Sequence, residues 1–257
     1  MLVLLSCAKT MSAVSKVKVP LTTIPRFQKE AAEIALQMSQ FSVDELERLL
    51  RVNAKIAVEN YKRYQAFHAE TTPELPALLA YTGIVFKRLN PKDFSAEDFG
   101  YAQEHLRLTS FCYGLLRPLD VIRAYRLEGD VVLPELGNQT LFSYWRSRLT
   151  DTFIEDIRSA GGILCNLASD EMKSLFDWKR VESEVRVVAP EFHVWKNGKL
   201  ATIVVYTKMS RGEMTRFILK NKIGNPEELK GFSWEGFEFD ESLSDERKLV
   251  FINGMGE

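Results

Sequence analysis

Residues 105–129 read HLRLTSFCYGLLRPLDVIRAYRLEG, and this stretch decides most of what we predict about the fold. Ser95-Ala-Glu-Asp is a capping box that opens a helix, with apolar residues at helical spacing as far as Cys112. Gly114 can adopt the left-handed conformation that ends a helix, and Pro118 cannot continue one. Because a second short helix is then predicted to begin near Pro118, the segment has the plan of a helix-hairpin-helix element.

Strands and helices alternate irregularly on both sides of this segment. Apolar runs and alternating patterns predict strands at residues 1–6, 163–167, 185–195, 199–206, 232–239 and 248–252. Helical spacing predicts helices at residues 27–38, 43–50, 54–67, 141–160 and 210–223. Asn197-Gly198 is a hairpin signal between two of the strands. No linker or repeat divides the chain, so we predict one compact α/β domain over residues 1–257, with a mixed central sheet and surrounding helices.

Composition sets limits on partners and location. The 257 residues carry a formal net charge of -1, so binding of nucleic acid would need a local cluster of cations. Cys7, Cys112 and Cys165 are an odd, sparse set without a CxxC pair, which argues against disulfides and a zinc site. The apolar run at residues 2–5 is too short for a signal sequence, and no run reaches the roughly 18 apolar residues of a membrane helix. We therefore predict a cytoplasmic protein without a membrane partner.

The first cluster of positive charge lies within residues 105–129. The segment contains four arginines and two carboxylates, namely Arg107, Arg117, Arg123 and Arg126, and Asp120 and Glu128. The turn of a helix-hairpin-helix exposes backbone N–H groups that suit a phosphate, and arginines add bidentate contacts. Such binding would position a DNA backbone without reading its base sequence. The alternative is a structural clamp, in which the arginine and aspartate of Arg-Pro-Leu-Asp pair across the turn.

The second cluster lies within residues 206–222. The segment contains five cations and one carboxylate, namely Lys208, Arg211, Arg216, Lys220 and Lys222, and Glu213. The helix predicted over residues 210–223 places Gly212, Arg216 and Lys220 on one face. Because glycine has no merit in the first turn of a helix, we expect close approach of a phosphate or of a packed neighbour at that position. On its own, a charge run is more often a solvated face.

Polar residues follow two of the predicted buried strands. Lys9 comes after the strand at residues 1–6, and Ser169 and Asp170 come after the strand at residues 163–167. Ligands gather at the carboxyl ends of strands in α/β proteins, so these residues would share a site if the two strands are neighbours. Lys9 would there bind a phosphate or act as a nucleophile, and an ordinary exposed lysine is the alternative.

Other common sites are not indicated by the sequence. It contains no GxGxxG, Walker A or GxSxG motif. His68, His105 and His193 are far apart and lack the spacing of metal ligands. We therefore predict neither a metal site nor a cofactor.

The charged motifs resemble those of the YaaA family of peroxide-stress proteins, and the match runs along essentially the whole chain. Its most specific pieces are Arg117-Pro-Leu-Asp120 followed by Tyr125-Arg-Leu-Glu128, and Arg211-Gly-x-Met-x-Arg-Phe217. The Ser6-x-Ala-Lys-Thr10 start also matches. One departure is Cys7, where the family usually has proline, and it removes a rigid residue from the loop that carries the lysine.

The resemblance implies a positively charged cleft and a helix-hairpin-helix-like element that binds DNA. It also implies a role in the response to hydrogen peroxide, in which the family lowers intracellular free iron and limits oxidative damage to DNA. The family's motif positions fall here on Lys9, Arg107, Tyr113, Arg117, Asp120, Tyr125, Arg126, Lys208, Arg211 and Arg216.

Three functional hypotheses follow for a chain that we expect to be monomeric. The first is a protein that binds DNA by structure rather than sequence, with cations on phosphates and tyrosines stacked on an unpaired base. The residues given these roles are Arg107, Arg117, Arg126, Lys208, Arg211 and Arg216 for phosphates, and Tyr113 and Tyr125 for stacking.

The second hypothesis is an enzyme acting on a nucleobase or nucleotide, with Lys9 as nucleophile or phosphate ligand and Asp120 or Asp170 as acid/base. The third is an internal salt-bridge scaffold with another protein as partner. DNA binding requires arginines of the two clusters to meet around one hollow of phosphate size.

Overall fold

A central sheet of eight strands organises the computed structural model, which describes residues 1–196 and 198–254. Its strand order is β11-β12-β9-β8-β1-β3-β4, and β10 pairs with β9. Two short two-stranded sheets, β2-β5 and β6-β7, complete the β-structure of the described residues. The strands are β1 (Leu2–Leu5), β2 (Glu74–Pro76), β3 (Leu106–Ser110), β4 (Gly114–Leu116), β5 (Val121–Arg123), β6 (Val132–Leu133), β7 (Gln139–Thr140), β8 (Ile163–Asn166), β9 (Arg186–Lys196), β10 (Lys199–Ala201), β11 (Phe237–Asp240) and β12 (Lys248–Asn253).

Parallel strands form the middle of the sheet, and antiparallel pairs close its two edges. β1 lies between β3 and β8 and runs parallel to both, with Val3 opposite Leu106 on one side and Cys165 on the other. β8, β9 and β12 continue the parallel part, whereas β3–β4 and β11–β12 are antiparallel. All four residues of β1 are buried, as expected for a strand covered on both faces. The predicted mixed α/β fold is confirmed.

Helices cover the sheet. Across the described residues they are α1 (Gln28–Met38), α2 (Val43–Leu50), α3 (Ala54–Ala66), α4 (Ala77–Ala80), α5 (Ile84–Leu89), α6 (Ala96–His105), α7 (Leu141–Ser159), α8 (Asp170–Lys173), α9 (Trp178–Glu184) and α10 (Val204–Asn221). Short 3-10 helices span Pro91–Asp93, Pro134–Leu136 and Pro226–Gly231. None of the helices within the described part of the chain has the length and apolar character needed to cross a membrane.

Both predicted capping boxes are confirmed. The hydroxyl of Ser42 accepts a hydrogen bond from the backbone N–H of Glu45, whose carboxylate accepts one from the backbone of Ser42. Ser95 and Asp98 repeat this arrangement at the start of α6. These reciprocal bonds satisfy N–H groups that have no partner inside the helix, which is why local sequence predicts helix starts well.

The helix-hairpin-helix element is not confirmed, and the helix predicted to run to Cys112 is wrong. The helix α6 ends at His105, and the chain continues as β3 between β1 and β4. All five residues of β3 are buried, so the strand lacks the alternation that distinguishes strands from helices in a sequence. Gly114 is left-handed, with φ of +69°, but it serves the β3–β4 turn. Residues 121–123 then form β5 where a second helix was predicted.

The second charged segment is helical from an earlier residue than predicted. Residues 204–206, predicted as the end of a strand, are the first turn of α10. Val204 and Val205 are exposed there, so the helix they begin is set by its later residues, where Gly212 packs on α5, and not by the β-propensity of Val-Val-Tyr. The hairpin is confirmed by the antiparallel pair of β9 and β10, and Gly198 is left-handed with φ of +69°. Asn197, the other residue of the predicted turn, lies outside the described residues.

Candidate functional site

A cavity of about 330 Å³ opens at the carboxyl ends of β1 and β8. Residues 5–10 at the end of β1 and Leu167 and Ser169 after β8 line it. Gly83 and the first turn of α5 as far as Phe86 also line it, together with Lys208 and Arg211 on α10. Parallel strands bring their carboxyl ends to the same edge, so this position is where α/β folds usually bind ligands.

The two strand ends are joined by hydroxyl groups. The Oγ atoms of Ser6 and Ser169 lie 3.2 Å apart, and the backbone N–H of Ser169 donates to Ser6 Oγ at 2.8 Å. The prediction that the residues after these strands lie together is therefore confirmed for Ser169. Asp170 instead points away, because its carboxylate pairs with Lys173 at 2.7 Å and its side chain is 93% exposed.

Four cations from three separate parts of the chain line the cavity, namely Lys9, Arg126, Lys208 and Arg211. Lys9 is held by Glu128, whose carboxylate oxygen lies 2.7 Å from the lysine Nζ. The lysine side chain is 61% exposed, so it borders solvent at the mouth of the site. Arg126 belongs to the first predicted cluster, and Lys208 and Arg211 belong to the second. Members of both clusters therefore do meet at one hollow, although only some of the predicted residues take part.

Arg211 is the most unusual of the four cations. Its Nε is buried and has no hydrogen-bond partner, and its guanidinium forms no ion pair with any residue that the structure describes. Burial lowers the pKa of this guanidinium, and the more distant charge of Asp170 only partly opposes the effect. An arginine remains charged at neutral pH even so, and a buried cation without a partner is costly. An anionic ligand in the cavity would remove that cost.

Arg126 shows the same pattern more weakly. Its Nη2 lies 3.7 Å from Glu128 Oε1, which is too long for a hydrogen bond. Both Arg126 Nε and Glu128 Oε1 are buried without a partner among the described residues. Glu128 thus lies near both cations, but it forms a hydrogen bond only with Lys9.

Buried tyrosines lie behind the cavity. Tyr125 lines it, and its hydroxyl lies 2.8 Å from that of Tyr81 and 2.6 Å from Ser110 Oγ. Burial raises the pKa of Tyr125 well above its usual value, so its hydroxyl stays protonated. Tyr113, also predicted to stack on a base, is enclosed beside Phe67 with its hydroxyl bonded by the backbone of Arg123. Its ring has no face open to a base.

Cys7 occupies the cavity wall where the resemblance placed a proline. Its backbone N–H donates to Thr109 Oγ1 at 3.2 Å. Burial raises the pKa of the Cys7 thiol to about 12, with smaller contributions from Glu171 and Glu128. The thiol is therefore uncharged at neutral pH and acts as a small apolar group.

Arg107 lies away from the cavity and is neutralised. Its Nε donates to Asp156 at 2.6 Å, and its Nη1 donates to the backbone carbonyls of Gln103 and Leu106. Both side chains of the pair are nearly buried, at 8% and 11% exposure. This arginine joins β3 to α7.

Arg117 and Asp120 form the structural clamp that was the alternative at this motif. The guanidinium Nη2 donates to the carboxylate at 2.8 Å, and the backbone N–H of Arg117 donates to its other oxygen. Asp120 also accepts from Thr23 and is fully buried. With these donors bound and no place on the cavity wall, Asp120 lacks access to a ligand there.

The predicted face of Gly212, Arg216 and Lys220 turns away from the cavity. Arg216 binds Asp93 through both terminal nitrogens, and Lys220 lies 2.8 Å from Asp98. A Cβ atom at Gly212 would lie 2.3 Å from the carbonyl oxygen of Val85, so the close approach at this glycine is that of α5. Of the two explanations for Gly212, the packed neighbour is the one observed.

Sequence reasoning missed two contributors to the site. Glu128 was counted only against the arginines, although it is the carboxylate that holds Lys9. The wall formed by Ile84–Phe86 carries no charged signal, and only its packing on α10 brings it to the cavity. Among the residues described, no group of three His, Cys, Asp or Glu side chains is arranged to hold a metal ion.

Comparisons with known proteins agree with the motifs. The family model for peroxide stress protein YaaA matches residues 1–243. A UPF0246 protein of Bacteroides thetaiotaomicron is 99% identical over all 257 residues of both chains, and one of Bacteroides fragilis is 78% identical over the same span. A UPF0246 protein of Crocosphaera subtropica is 38% identical over 253 residues, covering 98% of this chain and 100% of the relative. The chain therefore belongs to the YaaA family of peroxide stress proteins.

Proposed function

We propose that the protein binds DNA, and that the cavity at the ends of β1 and β8 holds a backbone phosphate. Lys9, Arg126, Lys208 and Arg211 would contact the phosphate oxygens. Guanidinium groups bind phosphate through paired, charge-assisted hydrogen bonds, and lysines add point charge. Contacts of this kind bind the backbone without selecting a base sequence.

The unpaired guanidinium of Arg211 carries the proposal. Other arginines of the two clusters have carboxylate partners, such as Asp156 for Arg107 and Asp93 for Arg216. Arg211 is only partly buried as a residue, but its Nε is buried and has no hydrogen-bond partner, and its guanidinium lacks a carboxylate among the described residues. Since a buried charge is stable only with a counter-charge, the missing partner is best supplied by a bound anion.

Fluorescence anisotropy with a labelled single-stranded oligonucleotide tests this role of Arg211. We expect Arg211→Gln to weaken binding at least tenfold, because a charge-assisted hydrogen bond contributes about 1.5–3 kcal/mol. Affinity of the unchanged protein should fall with salt, with a slope of about 0.7 per phosphate contacted on a single strand.

Arg216→Gln is the matched control, since it removes the same charge from the same helix outside the cavity. It should leave affinity within about twofold of the starting value. Equal losses for the two variants, or an affinity that does not change with salt, would contradict the proposal.

We further propose that this binding serves the response to hydrogen peroxide by limiting free iron and oxidative damage to DNA. Family membership supports the link to peroxide. A strain lacking the protein should lose viability in peroxide and accumulate chelatable iron, and Arg211→Gln should restore neither property. If Arg211→Gln fully restores viability and iron levels, the role in peroxide stress does not depend on the cavity.

An enzyme acting on a nucleobase or nucleotide is the second candidate. It is favoured by the hydroxyls of Ser6 and Ser169 and the amine of Lys9, which share a partly enclosed cavity. Incubation with DNA containing oxidised bases, followed by measurement of base release and strand scission, tests it. Lys9→Ala should abolish any such activity, and no product from the unchanged protein would refute this candidate.

A further inference from the structure

A second cavity, which we call the lysine groove, adjoins the cavity at the ends of β1 and β8, which we call the phosphate cavity. It has a volume of about 950 Å³ and lies between residues 12–18 and residues 78–94. Its side chains include Lys16, Lys18, Lys87 and Lys92, and none of the described residues that line it is an aspartate or a glutamate. The four lysines form no ion pair with any residue in the described part of the chain. The groove is thus a concentrated patch of positive charge in a protein whose net charge is -1.

The lysine groove and the phosphate cavity share a wall. Phe86 lines both. Two backbone hydrogen bonds join the segments beside this wall, from Thr82 N–H to the Thr10 carbonyl at 3.0 Å and from Ser12 N–H to the Ala80 carbonyl at 2.8 Å. The groove therefore lies next to the cavity.

We infer that the lysine groove binds the single strand that flanks a nucleotide held at the phosphate cavity. The inference rests on the proposed function and names its partner as unpaired DNA. Four uncompensated lysines match a repeating phosphate backbone, and lysines bind phosphate as point charges without fixed geometry. Duplex DNA is stiff, with a persistence length of about 150 base pairs, whereas a single strand can turn at every nucleotide to pass from the cavity to the groove.

The length of the oligonucleotide separates the groove from the cavity. Binding of thymidine oligonucleotides of about 2, 4, 8 and 12 residues is measured for the unchanged protein. We expect affinity to rise at least tenfold from the shortest to the longest, and a hairpin duplex of equal charge to bind more weakly than the longest strand. The variant Lys16→Gln/Lys18→Gln/Lys87→Gln/Lys92→Gln should lose this gain in affinity with length. It should bind the shortest oligonucleotide within about twofold of the unchanged protein, with a salt slope on long strands lower by about 0.7 per phosphate lost.

Two control variants make the result specific to the groove. Replacing all four groove lysines by arginine keeps the charge and should keep the gain with length. Replacing Lys29, Lys55, Lys62 and Lys179 by glutamine removes the same charge from exposed positions that line neither cavity, and it should also keep the gain. Circular dichroism melts of every variant establish that the fold is intact.

Several outcomes would overturn the inference. If the groove variant and the distant glutamine control lose the same amount of DNA affinity, the effect is one of net charge and not of the groove. Affinity that does not change with length, combined with a loss for Arg211→Gln on the shortest oligonucleotide, would refute the groove and leave the phosphate cavity standing. Groove lysines that bind a polyglutamate peptide but not DNA would show that the partner is an acidic protein. No binding of any oligonucleotide would refute both proposals.

Discussion

Replacing Arg107 by methionine should damage stability and spare DNA binding. The change keeps most of the aliphatic volume but leaves Asp156, which is 11% exposed, without its nearest counter-charge. Removing one member of a buried ion pair costs about 3–5 kcal/mol. Because Arg26 remains 3.1 Å from the same carboxylate, we expect the lower end of that range, about 3 kcal/mol. A domain of this size loses about 2–4 °C of Tm per kcal/mol, so Tm should fall by about 6–12 °C.

Calorimetry and oligonucleotide binding together check this assignment of Arg107. Binding measured well below the lowered Tm should stay within about twofold of the unchanged protein. The double variant Arg107→Met/Asp156→Leu should recover most of the lost stability, because an apolar pair of similar volume often replaces a buried ion pair at little cost. A Tm lowered by less than about 2 °C together with a tenfold loss of DNA affinity would refute the structural role and make Arg107 a DNA ligand.

Further changes test the packing and the titrating groups. Gly212→Ala should lower the unfolding free energy by about 1–3 kcal/mol, since its Cβ would meet a carbonyl oxygen at 2.3 Å. Gly100→Ala, in α6 with nothing within 4 Å, should raise it by about 0.4–1 kcal/mol in the same chemical denaturation series. Burial acts to raise the pKa of Asp156, but hydrogen bonds and charge from Arg107 and Arg26 outweigh it and lower the pKa below 3.8. Because this pKa is lower in the folded than in the unfolded protein, the ionised carboxylate stabilises the fold at a pH above the unfolded-state pKa, and that stabilisation is lost as the pH falls. The difference in unfolding free energy between the unchanged protein and Asp156→Asn should therefore shrink from pH 5 towards pH 2. A difference that stays constant would contradict the pairing. With the pKa of Cys7 raised to about 12 by burial, iodoacetamide at pH 8 should label this thiol far more slowly in the native than in the unfolded protein, as mass spectrometry would show.

Local sequence was a reliable guide wherever the determining interactions are local. The capping boxes at Ser42 and Ser95 form within four residues of chain and are present as predicted. The Arg117–Asp120 clamp also lies within four residues and was correctly named as an alternative. Such contacts depend little on the rest of the molecule, because the partners are already close in the unfolded chain.

The failures concern residues whose conformation depends on distant partners. Residues 106–110 continue a helical spacing of apolar residues, but pairing with β1, a hundred residues earlier, makes them a strand. The start of α10 has the β-branched residues Val204 and Val205, which are exposed, and they form the first turn of a helix whose later residues pack on α5. In both cases the tertiary contacts of the whole element outweigh the intrinsic propensity of these residues.

The same distinction applies to the site. The sequence alone determined the family, the two clusters of cations, and the two strand ends at Lys9 and Ser169. Only the tertiary structure decided which cations are available to a ligand. Arginines look alike in a sequence, whereas their charge is free or cancelled according to which carboxylate the fold brings within about 4 Å. Asp156 and Asp93 reach Arg107 and Arg216 from distant segments, and no carboxylate of the described residues forms an ion pair with Arg211.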